Sequence, residues 1–372
     1  MTVSTTLAPP APAASASDRR FSLLVLAQRL IRQTWFVRAM NPLIGRYNPF
    51  LPEFRADPYP TYRRLQRERP MYRSHLVGGW ILSRHGDVSA VLQDPRFSVE
   101  RHRSKLFQRV QPFRGMAPAF VEAITRNLLM LDPPDHARLR RLVSRAFTPR
   151  MVAGLRPRIE ALVDALLDGV RGRPVIDFVA EVAYPLPVIV ICELLGVPPD
   201  DRDRLKHWSD ELATLLDPLQ GEGGMDRLEQ TYDEVARYFR GLFAERRHTP
   251  RDDLISGLVA VEDAGDTLSE AELLSLTVLL LAAGHETTTS LLGNAVQALL
   301  RFPTQRRRLV DDPSLMASAV EEFLRYDSPV QLTDRVALED LELAGRRVRA
   351  GQMVALLLAA ANRDPAVFAE PD

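Results

Sequence analysis

The sequence predicts a mainly α fold with a minor β portion, and three observations lead there. Helical periodicity runs through long stretches, roughly 151–170, 185–195, 201–216, 225–247, 269–301 and 314–326. Short alternating runs punctuated by glycine occur in only two places. From Leu273 to Ala283 nearly every residue is apolar, with Leu291, Leu292, Ala295 and Val296 beyond. A helix that is apolar on almost all sides belongs in a core.

In chain order, residues 1–20 are rich in Ala, Pro, Ser and Thr and read as a disordered tail. The segment Phe21–Met40 is apolar but broken by Gln28, Arg29, Arg32 and Arg38, which suits an amphipathic helix laid on the protein body. Tyr72–Val77 and Trp80–Ser83 form a predicted hairpin around Gly78 and Gly79. The loop Gln220–Gly224 separates two amphipathic helices and suits a hinge. A second β region follows Arg335, with Leu341–Leu343, Arg347–Arg349 and Met353–Leu358 set off by Gly345 and Gly351. No internal repeat is visible, so residues 21–372 read as one domain behind the tail.

Composition narrows the function. Hydrophobic residues make up 46% and charged residues 26%, with a formal net charge of zero. That balance gives no electrostatic case for nucleic acid. Of 48 basic residues only Lys105 and Lys206 are lysine, a bias that suits a GC-rich bacterial genome. Cys192 is the single cysteine, which rules out an intramolecular disulfide and suits a reducing, cytoplasmic setting. No apolar run reaches the roughly 18–20 residues of a membrane span.

Three constellations stand out. The first is Ala283-Gly284-His285-Glu286-Thr287-Thr288-Thr289, which sets an ionisable pair and a run of hydroxyls inside the apolar helix. At 100° per residue Leu280, Gly284, Thr287, Thr288 and Leu291 share a face, and Glu286 points to the flank. Gly284 there lets a flat ligand approach the backbone, and hydroxyls in helices bend them by bonding the carbonyl four residues back. The ordinary alternative is a hydroxyl-rich helix with Glu286 paired to an arginine. The second constellation is Asp132-Pro133-Pro134-Asp135-His136-Ala137-Arg138-Leu139-Arg140-Arg141, a helix start. His136 and Arg140 fall on its apolar side, suited to an anion such as a carboxylate or to snorkelling at a core edge. Arg138, Arg141 and Arg145 fall opposite, on a face expected to be solvated. The third is Glu322-Phe323-Leu324-Arg325, whose i,i+3 charges pair on one face. Taken alone it reads as a surface salt bridge.

In this order the three constellations resemble the cytochrome P450 family, over most of the chain after about residue 50. Ala283–Thr288 looks like that family's oxygen-groove motif, and Glu322–Arg325 looks like its Glu-x-x-Arg core motif. His136 and Arg140 sit where the family holds one haem propionate, and Arg335 matches the arginine that holds the other. Ala360-Ala361-Asn362-Arg363-Asp364-Pro365, with Phe368, Pro371 and Asp372, resembles the run leading to the haem-ligand loop.

The resemblance implies haem b and insertion of one oxygen atom from dioxygen into a small lipophilic substrate, by hydroxylation or epoxidation. It also implies a ferredoxin-type electron donor with its NAD(P)H-dependent reductase. Thr287 and Glu286 would manage protons, with Ala283 and Gly284 beside the haem. Glu322 and Arg325 would be a buried structural pair. Leu279, Ala282, Val330 and Leu332 would line the substrate pocket, under a lid formed by the helices flanking Gly221–Gly224.

The sequence departs from the family at the iron ligand, whose cysteine loop is expected beyond Asp372. No metal ligand is therefore expected in these residues. Cys192 lies in the apolar run Val188–Leu195, without a glycine loop, and is expected to pack as a small hydrophobe. These 372 residues alone are thus expected to be inactive, as a fragment or a truncated protein, with some of Leu291, Leu292, Val296 and Leu299 left exposed. The rival expectation is a non-catalytic helical binding protein that has lost haem.

Overall fold

The computed structural model describes residues 37–39, 41, 45–213, 225–263 and 265–372. The predicted tail, the Phe21–Met40 helix and the Gln220–Gly224 hinge lie outside the described residues, apart from three residues of a helix at 37–39. The chain divides into two compact units, Met1–Thr61 and Tyr62–Asp372. In the first, the described helix is Pro52–Ala56, opened by its proline at the first turn. All candidate residues fall in the second.

The second unit is helical, with five strands gathered into one small sheet. Strands β1 (Met71–Ser74), β2 (Gly79–Leu82), β3 (Phe97–Ser98), β6 (Thr333–Ala337) and β9 (Met353–Leu356) lie in the order β1-β2-β9-β6-β3. The β2–β9 pair is parallel and the others antiparallel. Two short hairpins stand apart, β4 (Glu262–Asp263) with β5 (Asp266–Thr267), and β7 (Leu341–Leu343) with β8 (Arg346–Val348).

The predicted first hairpin is present, but its turn is His75–Gly78 and Gly79 already belongs to β2. A Cβ on Gly79 would lie 1.8 Å from the Met353 carbonyl oxygen, so the close β2–β9 pairing requires glycine there. Strand β6, which contains Arg335, was hidden in the sequence because Thr-Asp-Arg interrupts its apolar alternation.

The helices follow their periodicity closely. Observed spans are Pro185–Leu194, Arg202–Ala213, Met225–His248, Glu270–Arg301 and Met316–Tyr326. The predicted 151–170 stretch is two helices, Pro149–Gly154 and Arg156–Val170, because Pro157 lacks the N–H that would carry one helix through. A single π-helical turn, Val179–Ala183, precedes Pro185.

One large core lies between the helices, with Phe120, Leu142, Leu195, Leu205, Phe239, Leu258 and Leu281 fully enclosed. A smaller one covers the sheet with Leu82, Val88, Val348, Val354 and Leu356. The 32-residue helix Glu270–Arg301, here the central helix, runs through the larger core. Its start is a capping box. The Ser269 hydroxyl accepts from Glu272 N at 3.2 Å, and the Glu272 carboxylate accepts from Ser269 N at 2.8 Å. Leu291, Leu292, Val296 and Leu299, expected to be exposed, are half-buried.

Candidate active site

The central helix brings the first constellation to mid-core, with a different division of labour from the one predicted. The buried ionisable residue is His285, at 3% exposure, whereas Glu286 is half-buried on the flank. Thr287 Oγ1 donates to the Ala283 carbonyl at 3.0 Å, and Thr288 bonds Gly284 O more weakly at 3.5 Å from an exposed position. This is the backbone capture expected of helical hydroxyls.

A Cβ at Gly284 would meet Ile191 Cδ1 at 3.4 Å, an ordinary contact, so the helix Pro185–Leu194 packs beside this glycine.

Leu279 and Ala282 line a cavity of about 90 Å³ together with Phe107, Phe113, Ile124, Met130 and Val278. The two phenylalanines come from a loop-rich segment with no periodicity to mark them. Val330 and Leu332, predicted for the same wall, stand at the surface at 44% and 38% exposure and do not reach this cavity. They flank the short turn between the Glu-x-x-Arg helix and β6, where backbone direction cannot be read from an apolar letter.

The cations sort themselves by partner. Arg138, predicted to be solvated, pairs with Asp266 Oδ1 at 3.0 Å and with Glu272, the carboxylate of the capping box. Arg145 donates to Glu262 O at 3.3 Å. His136 is half-buried and Arg140 exposed, and neither side chain has a hydrogen bond or ion pair among the described residues.

Arg335 donates to Thr333 Oγ1 and Asp334 O but meets no carboxylate, because Asp334 pairs with Arg101 at 2.7 Å. Burial holds its guanidinium below the ordinary arginine pKa, against the pull of Asp334 and Asp132. Asp132 lies between His136 and the strand that pairs beside Arg335. Its carboxylate accepts from Ser98 Oγ and from Val99 N at 3.1 Å, and its carbonyl accepts from His136 N at 3.0 Å. Ser98 in turn pairs in register with Val336, next to Arg335. A partly desolvated cation without a carboxylate is costly to keep unless an anion comes to it.

Glu322 and Arg325 form the expected pair in bidentate form, at 2.6 and 2.8 Å. The pair was expected to be buried, but Arg325 is half-buried at 14% exposure and Glu322 exposed at 55%. Arg325 Nη1 also donates to Asn362 O at 2.8 Å and Pro371 O at 3.0 Å, and its guanidinium lies over the Phe368 ring. One side chain thereby ties the predicted Asn362–Asp372 run to the Glu-x-x-Arg helix.

Cys192 is fully enclosed in the helical core, and burial pushes its thiol up to about 11. Among the described residues no group of three or more His, Cys, Asp or Glu is placed to hold a metal ion, and no helix is long and apolar enough to cross a membrane.

Comparison with known proteins decides the family. The cytochrome P450 family model matches residues 80–372. The chain belongs to the cytochrome P450 family. It is 43% identical over 332 residues to the vitamin D(3) 25-hydroxylase of Pseudonocardia autotrophica, covering 88% of this chain and 79% of that protein. It is 41% identical to cytochrome P450 CYP107DY1 of Priestia megaterium, covering 86% and 80%. Among solved structures, the Bacillus subtilis cytochrome P450 PksS aligns with a TM-score of 0.79 at 36% identity, covering 87% of this chain and 80% of that one.

As a cytochrome P450 the protein is a haem-dependent monooxygenase, and its cofactor is haem b. The comparisons give no support to a non-catalytic binding protein. His136, Arg140 and Arg335, three nitrogen donors without carboxylate partners among the described residues, suit the two propionates of haem b.

Sequence reading missed the surroundings of His285. Ser209 Oγ lies 2.7 Å from His285 Nδ1 and 2.7 Å from Leu281 O. Asp210 Oδ1 lies 3.5 Å from His285 Nε2 and accepts from the Tyr184 hydroxyl. A histidine inside an apolar run was the available signal. Its partners sit on other elements and carry none.

Proposed function

We propose that this cytochrome P450 hydroxylates or epoxidises a small lipophilic substrate held against the central helix in the cavity bounded by Leu279, Ala282, Phe107 and Phe113. The observation that carries the reading is this cavity, apolar along most of its wall and formed partly by the turn of helix that leads to Ala283 and Thr287. When bound, haem b would supply the chemistry that activates dioxygen. His136, Arg140 and Arg335 would hold its propionates.

Thr287 has given its only proton to Ala283 O, so its oxygen offers lone pairs to a water or hydroxyl donor beside the cavity. Glu286, next to it on the half-buried flank, moves protons inward while the apolar wall excludes bulk water. Electrons come from a ferredoxin-type protein and its NAD(P)H-dependent reductase in the cytoplasm. The helices Arg202–Ala213 and Met225–His248, which flank Gly221–Gly224, form the lid.

The test is turnover of the haem-loaded protein with ferredoxin, reductase and NAD(P)H under ¹⁸O-dioxygen, using a panel of neutral lipophilic compounds. One labelled oxygen atom in the product is expected. In Thr287→Ala, NAD(P)H consumption should persist while peroxide replaces product. Glu286→Gln should slow turnover by about 10²-fold with less loss of coupling. Equal product per electron in wild type and Thr287→Ala removes Thr287 from the mechanism.

A further inference from the structure

Three elements meet at His285. The central helix supplies the imidazole and the Leu281 carbonyl. Helix Arg202–Ala213 supplies Ser209, Asp210 and Lys206. The end of the π-helical turn supplies Tyr184, whose ring meets the imidazole edge-on at 5.8 Å. The titratable and charged groups facing the imidazole are Asp210, Glu286, Tyr184 and, over the Tyr184 ring at 4.7 Å, the Lys206 ammonium. Nothing in the proposed reaction uses this cluster, although it adjoins Glu286 and Thr287.

Its hydrogen bonds can be filled in two ways. Asp210 accepts from Tyr184 and, as a carboxylate facing Nε2, needs a proton on that nitrogen. In one arrangement Ser209 gives its proton to Leu281 O at 2.7 Å. Nδ1 then faces two acceptors, the Ser209 oxygen at 2.7 Å and Leu281 O at 3.1 Å, so both ring nitrogens are donors and His285 is an imidazolium paired with Asp210. In the other, Ser209 turns its proton to Nδ1 at 2.7 Å, and His285 is neutral. One proton and one hydroxyl rotation separate the two. The charged arrangement adds a charge-assisted bond across the two helices, together with a Ser209 bond to the central-helix backbone.

We propose that His285 is a positioning residue. As an imidazolium it ties helix Arg202–Ala213 to the central helix one residue before Glu286, and loss of its proton loosens that tie. The inference rests on the reading above only in taking that helix as part of the lid. Burial opposes the charge, but the Asp210 bond, the Leu281 carbonyl and the charges of Asp210 and Glu286 outweigh it, so the histidine pKa lies above its ordinary value. Asp210 is held below the usual carboxylate range, with the His285 and Tyr184 bonds overcoming its burial. The sign follows. The folded-state pKa is raised, so the tie is fully present below the unfolded histidine pKa of about 6.5 and is lost as pH rises through the folded value.

The test uses the haem-loaded protein and no substrate. Backbone hydrogen exchange of residues 202–213, corrected for intrinsic rates, is followed from about pH 5.5 to pH 9, with nitrogen-15 shifts reporting the His285 ring. Exchange of this helix should quicken by about tenfold, the scale of one charge-assisted hydrogen bond, over the interval in which the ring loses its proton. The Met225–His248 helix serves as the internal control. His285→Gln keeps a neutral hydrogen-bonding group and should abolish the pH dependence. Asp210→Asn should lower the ring's pKa and shrink the effect.

Exchange that is flat with pH in wild type overturns the proposal, as does a ring that stays neutral throughout. So does an unchanged pH dependence in His285→Gln. Neither readout needs turnover, so failure here leaves the oxygen-18 result standing, and the converse also holds.

Discussion

Arg138 and Arg140 sit two residues apart on the same helix and live in different electrostatic worlds. Arg138 is half-buried between Asp266 and Glu272, and it clamps the helix to the start of the central helix. Arg140, with His136 on the same side and Arg335 on β6, has no carboxylate among the described residues. Where a carboxylate is supplied by the fold, the cation holds the protein together. Where none is supplied, the cation is set for an anion from outside. The helix wheel had Arg138 and Arg140 reversed in exposure, because it could not see that Asp266 and Glu272 arrive opposite Arg138, whereas Arg141 and Arg145 are exposed as expected.

The largest effect that would sharpen this contrast is expected at Arg335. In the completed, haem-loaded protein, Arg335→Leu should raise the rate of haem transfer to an apo-globin acceptor by about 10- to 100-fold, the loss of one charge-assisted bond worth roughly 1.5–3 kcal/mol. Its haem-free form should melt no lower than wild type, since a desolvated cation has been removed. Arg138→Gln should show the opposite pattern. A partly exposed pair is worth about 1 kcal/mol, so melting should fall by roughly 2–4 °C with haem transfer unchanged. Equal haem loss in the two variants would erase the distinction between partnered and unpartnered cations.

The smallest effect concerns Cys192. A thiol at about 11 is on the order of 0.1% thiolate at pH 8, and only the thiolate alkylates. Iodoacetamide at that pH should leave Cys192 unlabelled in the folded protein and label it fully in guanidinium. Fast labelling of the folded protein would reopen the question of its burial.

Much of this molecule was legible in its letters. The central helix came within one residue of its observed start because its periodic apolar run begins there. The Glu322–Arg325 pair follows from helical spacing, which is local, and the expectation that Leu279 and Ala282 line a cavity came from the family resemblance. What escaped was non-local. Strand β6 is held by its neighbours on the sheet, not by its own alternation. Ile191, packed beside Gly284, arrives from another helix. Val330 and Leu332 were given to the pocket and stand at the surface. His285 was passed over because Ser209, Asp210 and Tyr184 lie 75 to 101 positions away in the chain.

Glu272 holds two appointments, closing the capping box with Ser269 and receiving Arg138 from another helix. A lone cap fixes where a helix begins but leaves it free to roll about its axis. A second bond arriving from the side removes that freedom and sets rotational phase. Thr287 lies 15 residues, or about 22 Å, further along the same rigid rod. A slip of one residue would swing it by 100°. The orientation of the Thr287 side chain is thus held by a salt bridge four turns away. Mutations at that distant clamp should therefore register as misdirected chemistry before they register as unfolding.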